Sequence, residues 1–259
     1  MYPPWRDGEG KRAWLFDLDG TLLRLDVAEF VPRYLQALGA AMSGVTDPAR
    51  FVQYVLAATA AMTGRRGRES SNQEVFWREM ARLAGDDPLR DWHPIIADFY
   101  RRDFPGLGRC YRPDPAARRV VQAVLDAGAE VILATNPLFP AGAVVERMRW
   151  AGIDDLPFAL VTSYEHMHAC KPHLEYYLEI LERRGLEAAA CVMVGNDVQE
   201  DVVPARQLGM TTFLVTGLTI DRSGEGHLAD GSGELGYLAT LVEGARDRAG
   251  SGAGLRWPG

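Results

Sequence analysis

Five short apolar runs, each followed by a stretch of helical periodicity, constrain this chain more than any other feature of its sequence. They are Ala13–Phe16, Val131–Ala134, Ala159–Thr162, Cys191–Val194 and Thr211–Val215. Unbroken apolar runs of this length suit strands buried on both faces, and strands alternating with helices pair in parallel. The helices between them are punctuated. Asp114 is placed to cap one, Pro115 suits its first position, Val120, Val121, Val124 and Leu125 share a face, and Gly128 stops it. Pro172 is expected to open another, with Leu174, Tyr177, Leu178 and Leu181 on one face and Gly185 past its end. The expected fold class is α/β, a Rossmann-like parallel sheet with helices on both faces in three layers.

Residues 25–104 interrupt the alternation with helical signals and no strand pattern. Asp26 and Glu29 have capping-box spacing ahead of Phe30, Tyr34 and Leu38. Asp47-Pro48 begins a second helix carrying Phe51, Val55 and Met62, and Ser71 or Asn72 begins a third carrying Phe76, Met80 and Leu83 up to Gly85. A shorter fourth is expected after Pro94. The chain therefore reads as a catalytic core made of residues 1–24 and 105–259, with an all-helical cap domain inserted at 25–104. The exits are Leu22–Leu25 and the Gly- and Pro-containing stretch Pro105–Pro113. Leu235–Val242 reads as a last helix, and Ser251–Gly259 as a frayed end.

Composition narrows the partners. A chain of 259 residues can bury a core without disulfide staples. Its three cysteines, Cys110, Cys170 and Cys191, are too few and too odd in number for a disulfide framework, which suits a reducing compartment. A net charge of −7 argues against a nucleic-acid partner held by phosphate attraction. No apolar run approaches the roughly 18–20 residues of a membrane span, and Met1–Asp7 lacks the basic-then-apolar order of a signal peptide. The expectation is a cytoplasmic protein with neither nucleic-acid nor membrane partners; oligomeric state is not legible.

The chemistry gathers where strands end. In an open parallel sheet, ligands bind outside the carboxyl ends of the strands. Asp17 and Asp19 follow the first run, Thr135 and Asn136 the second, Lys171 the third, and Asn196, Asp197 and Asp201 the fourth. Lys171 stands out because Lys11 is the only other lysine, against 26 arginines. Two carboxylates one residue apart repel, so a cation between them or a proton on one is expected. Acids at two strand ends, a hydroxyl at a third and an ammonium at a fourth describe a phosphoryl site with a divalent metal. The metal and lysine neutralise phosphate oxygens while a carboxylate attacks phosphorus.

Asp17-Leu18-Asp19-Gly20-Thr21, Thr135, Lys171-Pro172 and the acidic Gly195–Asp201 segment, in that order, resemble the four motifs of the haloacid dehalogenase superfamily, in its phosphatase branch. A helical cap inserted after the first motif is also typical of that family. The resemblance implies a phosphatase for a small phosphorylated metabolite, with Asp17 as nucleophile forming an aspartyl-phosphate and Asp19 as acid, then base. It implies that Thr135, the Asn136 backbone and Lys171 hold the phosphoryl group. Mg2+ is implied at Asp17, the Asp19 carbonyl and the fourth motif. That motif departs from the common pattern, since Asn196 stands where relatives usually have Asp. Either its carbonyl oxygen meets the metal or Asp197 turns in, with Asp201 orienting metal-bound water and magnesium affinity weakened. A phosphomutase of the same superfamily and a catalytically weak phosphate-binding protein are the alternatives; a dehalogenase typically lacks the second aspartate.

Other clusters read more blandly. His166, His168, Cys170 and His173 alternate but have no second ligand group, so loop residues are expected rather than a zinc site. Arg65, Arg66 and Arg68 read as a solvated turn before an anion clamp. Trp77, Trp92 and Tyr100 read as cap core.

Overall fold

The computed structural model describes residues 12–85 and 89–250. Its sheet has six strands, β1 Ala13–Phe16, β2 Glu130–Leu133, β3 Leu160–Val161, β4 Cys191–Gly195, β5 Thr211–Val215 and β6 Gly231–Gly233. All pair in parallel, in the order β3-β2-β1-β4-β5-β6. Phe16 lies level with Leu133 on one side and Val194 on the other, so the carboxyl ends of the three central strands form one rim. The strand order reverses at β1, and the crevice this leaves is where a doubly wound sheet places its ligand. The first and fifth apolar runs coincide with β1 and β5. The third shrinks to two residues, and β6 was not anticipated because Gly-Ser-Gly carries no apolar signal.

The helices are α1 Val27–Ala41, α2 Pro48–Thr63, α3 Asn72–Ala84, α4 Leu89–Asp98, α5 Phe104–Leu107, α6 Pro115–Asp126, α7 Ala141–Ala151, α8 Leu174–Arg184, α9 Val203–Gln207 and α10 Leu235–Gly250. Wide π-helical turns at Phe99–Asp103 and Val198–Val202 precede α5 and α9. The caps follow the side chains available. Asp26, Asp47 and Asp114 accept from Ala28 N, Arg50 N and Ala116 N at 2.8, 2.8 and 2.9 Å. Ser71 and Glu74 form the reciprocal capping box of α3. Two prolines sit elsewhere than expected. Pro94 lies inside α4 rather than ahead of it. Pro172 precedes α8, which starts only after His173, extended at ψ 136°. The segment Ser251–Gly259 lies outside the described residues.

Period-two alternation in β1 divides the core. Trp14 and Phe16 face α6, α7, α10 and the helices of the insertion, whereas Ala13 and Leu15 face Tyr176, Tyr177 and Ile180 of α8 and Ala205 of α9. Helices α1–α5 pack over the loops that follow β2 and β3. One contact is aromatic: Phe30 and Tyr34 of α1, Phe104 of α5, Phe139 after β2 and Trp150 of α7 form one cluster. Tyr34–Phe139 and Phe104–Trp150 centroids lie 5.1 and 5.2 Å apart. Gly108 lets the chain pass the Trp150 indole, where a Cβ would overlap the ring. The other contact is polar. Asn72 N and Gln73 N donate to Met167 O and Tyr164 O, both at 2.8 Å, and the buried Asn72 amide donates to Ala169 O at 3.2 Å.

Phe104 is fully buried at the centre of the aromatic cluster. Phe104→Ala is expected to lower the unfolding free energy by about 3–5 kcal/mol, measured by urea denaturation.

Candidate active site

Buried β1 delivers Asp17 at its end, where Asp17 N donates to Val194 O at 2.9 Å. The chain then turns at Gly20, and Gly20 N donates to Leu23 O at 2.8 Å. Gly20 has φ +83°, and a Cβ there would overlap the Asn196 amide, so no other residue fits the turn without displacing it. Asp17 and Asp19 thereby line one pocket of about 160 Å³ with Thr135, Asn136, Asn196, Asp197 and Asp201. Lys171 reaches it from beneath. Its Nζ donates to Asp17 Oδ1 at 2.8 Å and Asp201 Oδ1 at 2.6 Å.

The Lys171 side chain is 1% exposed. Burial alone would lower its proton affinity, but the facing carboxylates of Asp17 and Asp201 outweigh it and hold the ammonium well above its ordinary value. Burial pushes Asp201 up; Lys171 pulls it part of the way back, and Asp17 adds to the rise. Asp201 is thus the anchor of the lysine. Its Oδ2 accepts from Asp197 N at 3.0 Å, and it occupies the space that a Cβ on Gly195 would take. Thr135 is aimed through its backbone, because its carbonyl accepts from Thr162 Oγ1 at 2.7 Å and the Tyr176 hydroxyl at 2.9 Å.

The fourth motif separates into distinct tasks. Asn196 accepts from Thr21 Oγ1 at 3.1 Å and donates from Nδ2 to Leu218 O at 2.6 Å. An aspartate here would face that carbonyl with an oxygen, which accounts for the amide. Asp197 caps the turn Val198–Val202, accepting from Gln199 N and Glu200 N, both at 3.0 Å. Arg222 holds both its oxygens, at 3.1 and 2.9 Å. Asp197 is therefore engaged by two backbone donors and a guanidinium, while the Asn196 carbonyl keeps a lone pair.

Three charged residues of the pocket escaped the sequence reading: Arg147, Glu200 and Arg222. Arg147 of α7 pairs with Asp19 Oδ2, and its guanidinium lies 4.3 Å over the Phe139 ring. It is 1% exposed, and a charge at helical spacing from Ala143, Val144 and Ala151 was the available signal. Burial raises the Asp19 carboxyl; Arg147 opposes this and Asp17 reinforces it. Glu200 accepts from Asn136 Nδ2 at 3.0 Å. Burial raises its carboxyl too, with Lys171 opposing and Asp197 reinforcing. The π-helical turn, which no residue type announces, brings Glu200 and Asp201 to the same pocket.

The donor set fits a hard cation. Five carboxyl groups and two guanidiniums line the pocket, and a phosphate would add further negative charge. Asp19 Oδ1 and Asn136 Oδ1 are buried without a partner. No group of three or more His, Cys, Asp or Glu among the described residues forms a cage of its own. That combination suits magnesium, which typically takes one or two carboxylates and completes its shell with water and substrate phosphate.

The remaining clusters are accounted for locally. Burial pushes the Cys170 thiol up to about 12, His168 Nδ1 meets Glu179 at 2.8 Å, and His173 Nε2 donates to Thr63 O at 2.8 Å. Arg65 donates to Ser70 O at 2.8 Å, and Arg68 pairs with Glu182 of α8. No helix among the described residues is long and apolar enough to cross a membrane.

The haloacid dehalogenase-like hydrolase family model matches residues 11–209, and the chain belongs to that family. A glyceraldehyde 3-phosphate phosphatase of Methanocaldococcus jannaschii is 40% identical over 70 residues, 27% of this chain and 30% of that relative, so the chain aligns with under a third of that protein's length. Among solved structures, a HAD phosphatase from Thermococcus onnurineus superposes with a TM-score of 0.54 at 20% identity, over 90% of this chain and 98% of that one. The L-2-haloacid dehalogenase of Xanthobacter autotrophicus superposes with a TM-score of 0.52 at 18% identity, with the same coverage. At such identities the likeness is one of fold.

Lys171→Met leaves Asp17 and Asp201 facing one another in a buried site. The expected loss of unfolding free energy is about 3 kcal/mol at neutral pH without added metal. Lys171 pulls the Asp201 carboxyl down, so its loss raises Asp201 further in the variant than in the wild type. A carboxyl raised in the folded state adds stability that falls as pH rises through its folded value. The deficit should therefore shrink on acidification towards pH 5, measured by denaturant titration at each pH.

Proposed function

We propose that this protein is a magnesium-dependent phosphatase that hydrolyses a small phosphorylated metabolite through an aspartyl-phosphate on Asp17. One observation carries the reading: a second carboxyl, Asp19, stands two residues from the nucleophile in a buried place that raises its hold on a proton. A leaving halide needs no proton, whereas a leaving alkoxide does, so this acid suits phosphate esters better than haloacids. The relative named as a phosphatase supports the same class.

In the proposed reaction Lys171 holds Asp17 Oδ1, leaving the other oxygen to attack phosphorus. The P–O bond to the leaving group breaks as Asp19 transfers its proton to the departing oxygen. Asp19, now a carboxylate, takes a proton from the water that attacks the aspartyl-phosphate, releasing inorganic phosphate and restoring Asp17. Thr135 and the Asn136 backbone orient the phosphoryl oxygens, and Arg147 holds Asp19 in register. Asp17, the Asp19 carbonyl and Asn196 would hold the magnesium ion, which when bound supplies neutralising charge beside the phosphate. Residues 25–104 act as the cap that excludes bulk water.

The test is phosphate release from p-nitrophenyl phosphate with and without magnesium. Magnesium-dependent release is expected, falling by at least about 10³-fold in Asp17→Asn. Turnover by folded Asp17→Asn at the wild-type rate would remove Asp17 as nucleophile.

A further inference from the structure

Beside the catalytic pocket lies a second cavity of about 120 Å³, lined by α1–α4 and the loops after β2 and β3. The two cavities meet at Val31, Leu138 and Phe139, which line both. Arg147, stacked on Phe139, marks the polar side of that boundary. Beyond it no charged side chain among the described residues lines the cavity, whose walls include Leu38, Phe51, Val55, Phe76 and Met80.

The polar tips that reach this space are already engaged within the protein. The hydroxyls of Tyr34 and Tyr100 pair with each other at 2.7 Å. Thr59 Oγ1 donates to Val55 O at 2.8 Å. The Tyr164 hydroxyl accepts from Gln73 Nε2 at 3.5 Å. A polyhydroxylated group here would surrender its bonds to water for the few remaining donor and acceptor positions of Tyr34, Tyr100, Tyr164 and Thr59 in an otherwise apolar wall. An apolar group leaves nothing unpaired and removes two apolar surfaces from water. Size gives a bound, since an apolar cavity of about 150 Å³ accepts a benzene ring. About 120 Å³ therefore suits one small ring or a short alkyl chain.

We propose that this cavity receives the alcohol portion of the substrate and selects an apolar one, so that the substrate is the phosphate monoester of a small aryl or short alkyl alcohol. The inference rests on the phosphatase reading above. In that arrangement the phosphoryl group lies at Asp17 while the carbon chain passes Phe139 into the helical insertion.

The experiment compares phosphate release from n-alkyl phosphates, methyl to hexyl, with release from glycerol 3-phosphate, in the presence of magnesium. The expected result is a kcat/KM that rises about tenfold or more from methyl to butyl, with glycerol phosphate staying near the methyl value. Val55→Phe, which fills the cavity, should abolish the rise. Phe76→Ala, which enlarges it, should move the best substrate to a longer chain, and either variant alone suffices if the other does not fold. Glycerol phosphate turned over as well as butyl phosphate would overturn the inference and leave the phosphatase reading standing. Release from none of the esters would overturn the phosphatase reading instead. The cavity is then read directly, by whether benzyl alcohol raises the Tm of the wild-type protein but not that of Val55→Phe; equal or absent shifts overturn the apolar site as well.

Discussion

A buried ammonium held between two carboxylates is the interaction on which the rest of the site depends. Lys171 joins the end of β1 at Asp17 to the turn after β4 at Asp201, and it reaches both from the loop ahead of α8. Three strand connections are thus pinned at one point. Burying any one of these charges alone would be costly, so each is stable only in the presence of the others. Local details serve the same contact. Gly195 has no side chain because Asp201 fills that space, and Asp197 N closes on the far oxygen of Asp201.

The second aspartate is governed by a different balance. Burial and the neighbouring Asp17 raise its hold on a proton, while Arg147 pulls the other way. The net effect is a carboxyl that holds its proton more tightly than a free aspartate does. The partner that sets this balance comes from α7, an element that carries none of the recognisable motifs.

Much of this was legible in the residues, and what was not has physical reasons. Strand runs such as Ala13–Phe16 and Thr211–Val215 announce themselves because burial on both faces demands unbroken apolar residues. The strand-end residues could be placed together because parallel topology puts all carboxyl ends on one rim. Glu200 could not, because it depends on a π-helical turn that no residue type announces. Arg147 was one arginine among 26, distinguishable only by its position on a buried stripe. The helical insertion shows the same division. Its caps at Asp47 and Ser71 were readable, but periodicity says which side chains turn inward, not whether they fill the space they enclose.

Tyr176 and Tyr177 of α8 give the outer helical layer a part in the chemistry. Tyr176 bonds the carbonyl of Thr135, and Tyr177 bonds the carbonyl of Glu200 at 2.5 Å, so neighbouring residues on one helix brace the ends of two strands. The helix behaves as a truss beneath the rim. A redesigned α8 that packed equally well with phenylalanines would leave Thr135 held by Thr162 alone and the Glu200 carbonyl without its tyrosine. A substitution on this face is therefore felt at the rim of the sheet as well as in the packing beneath it.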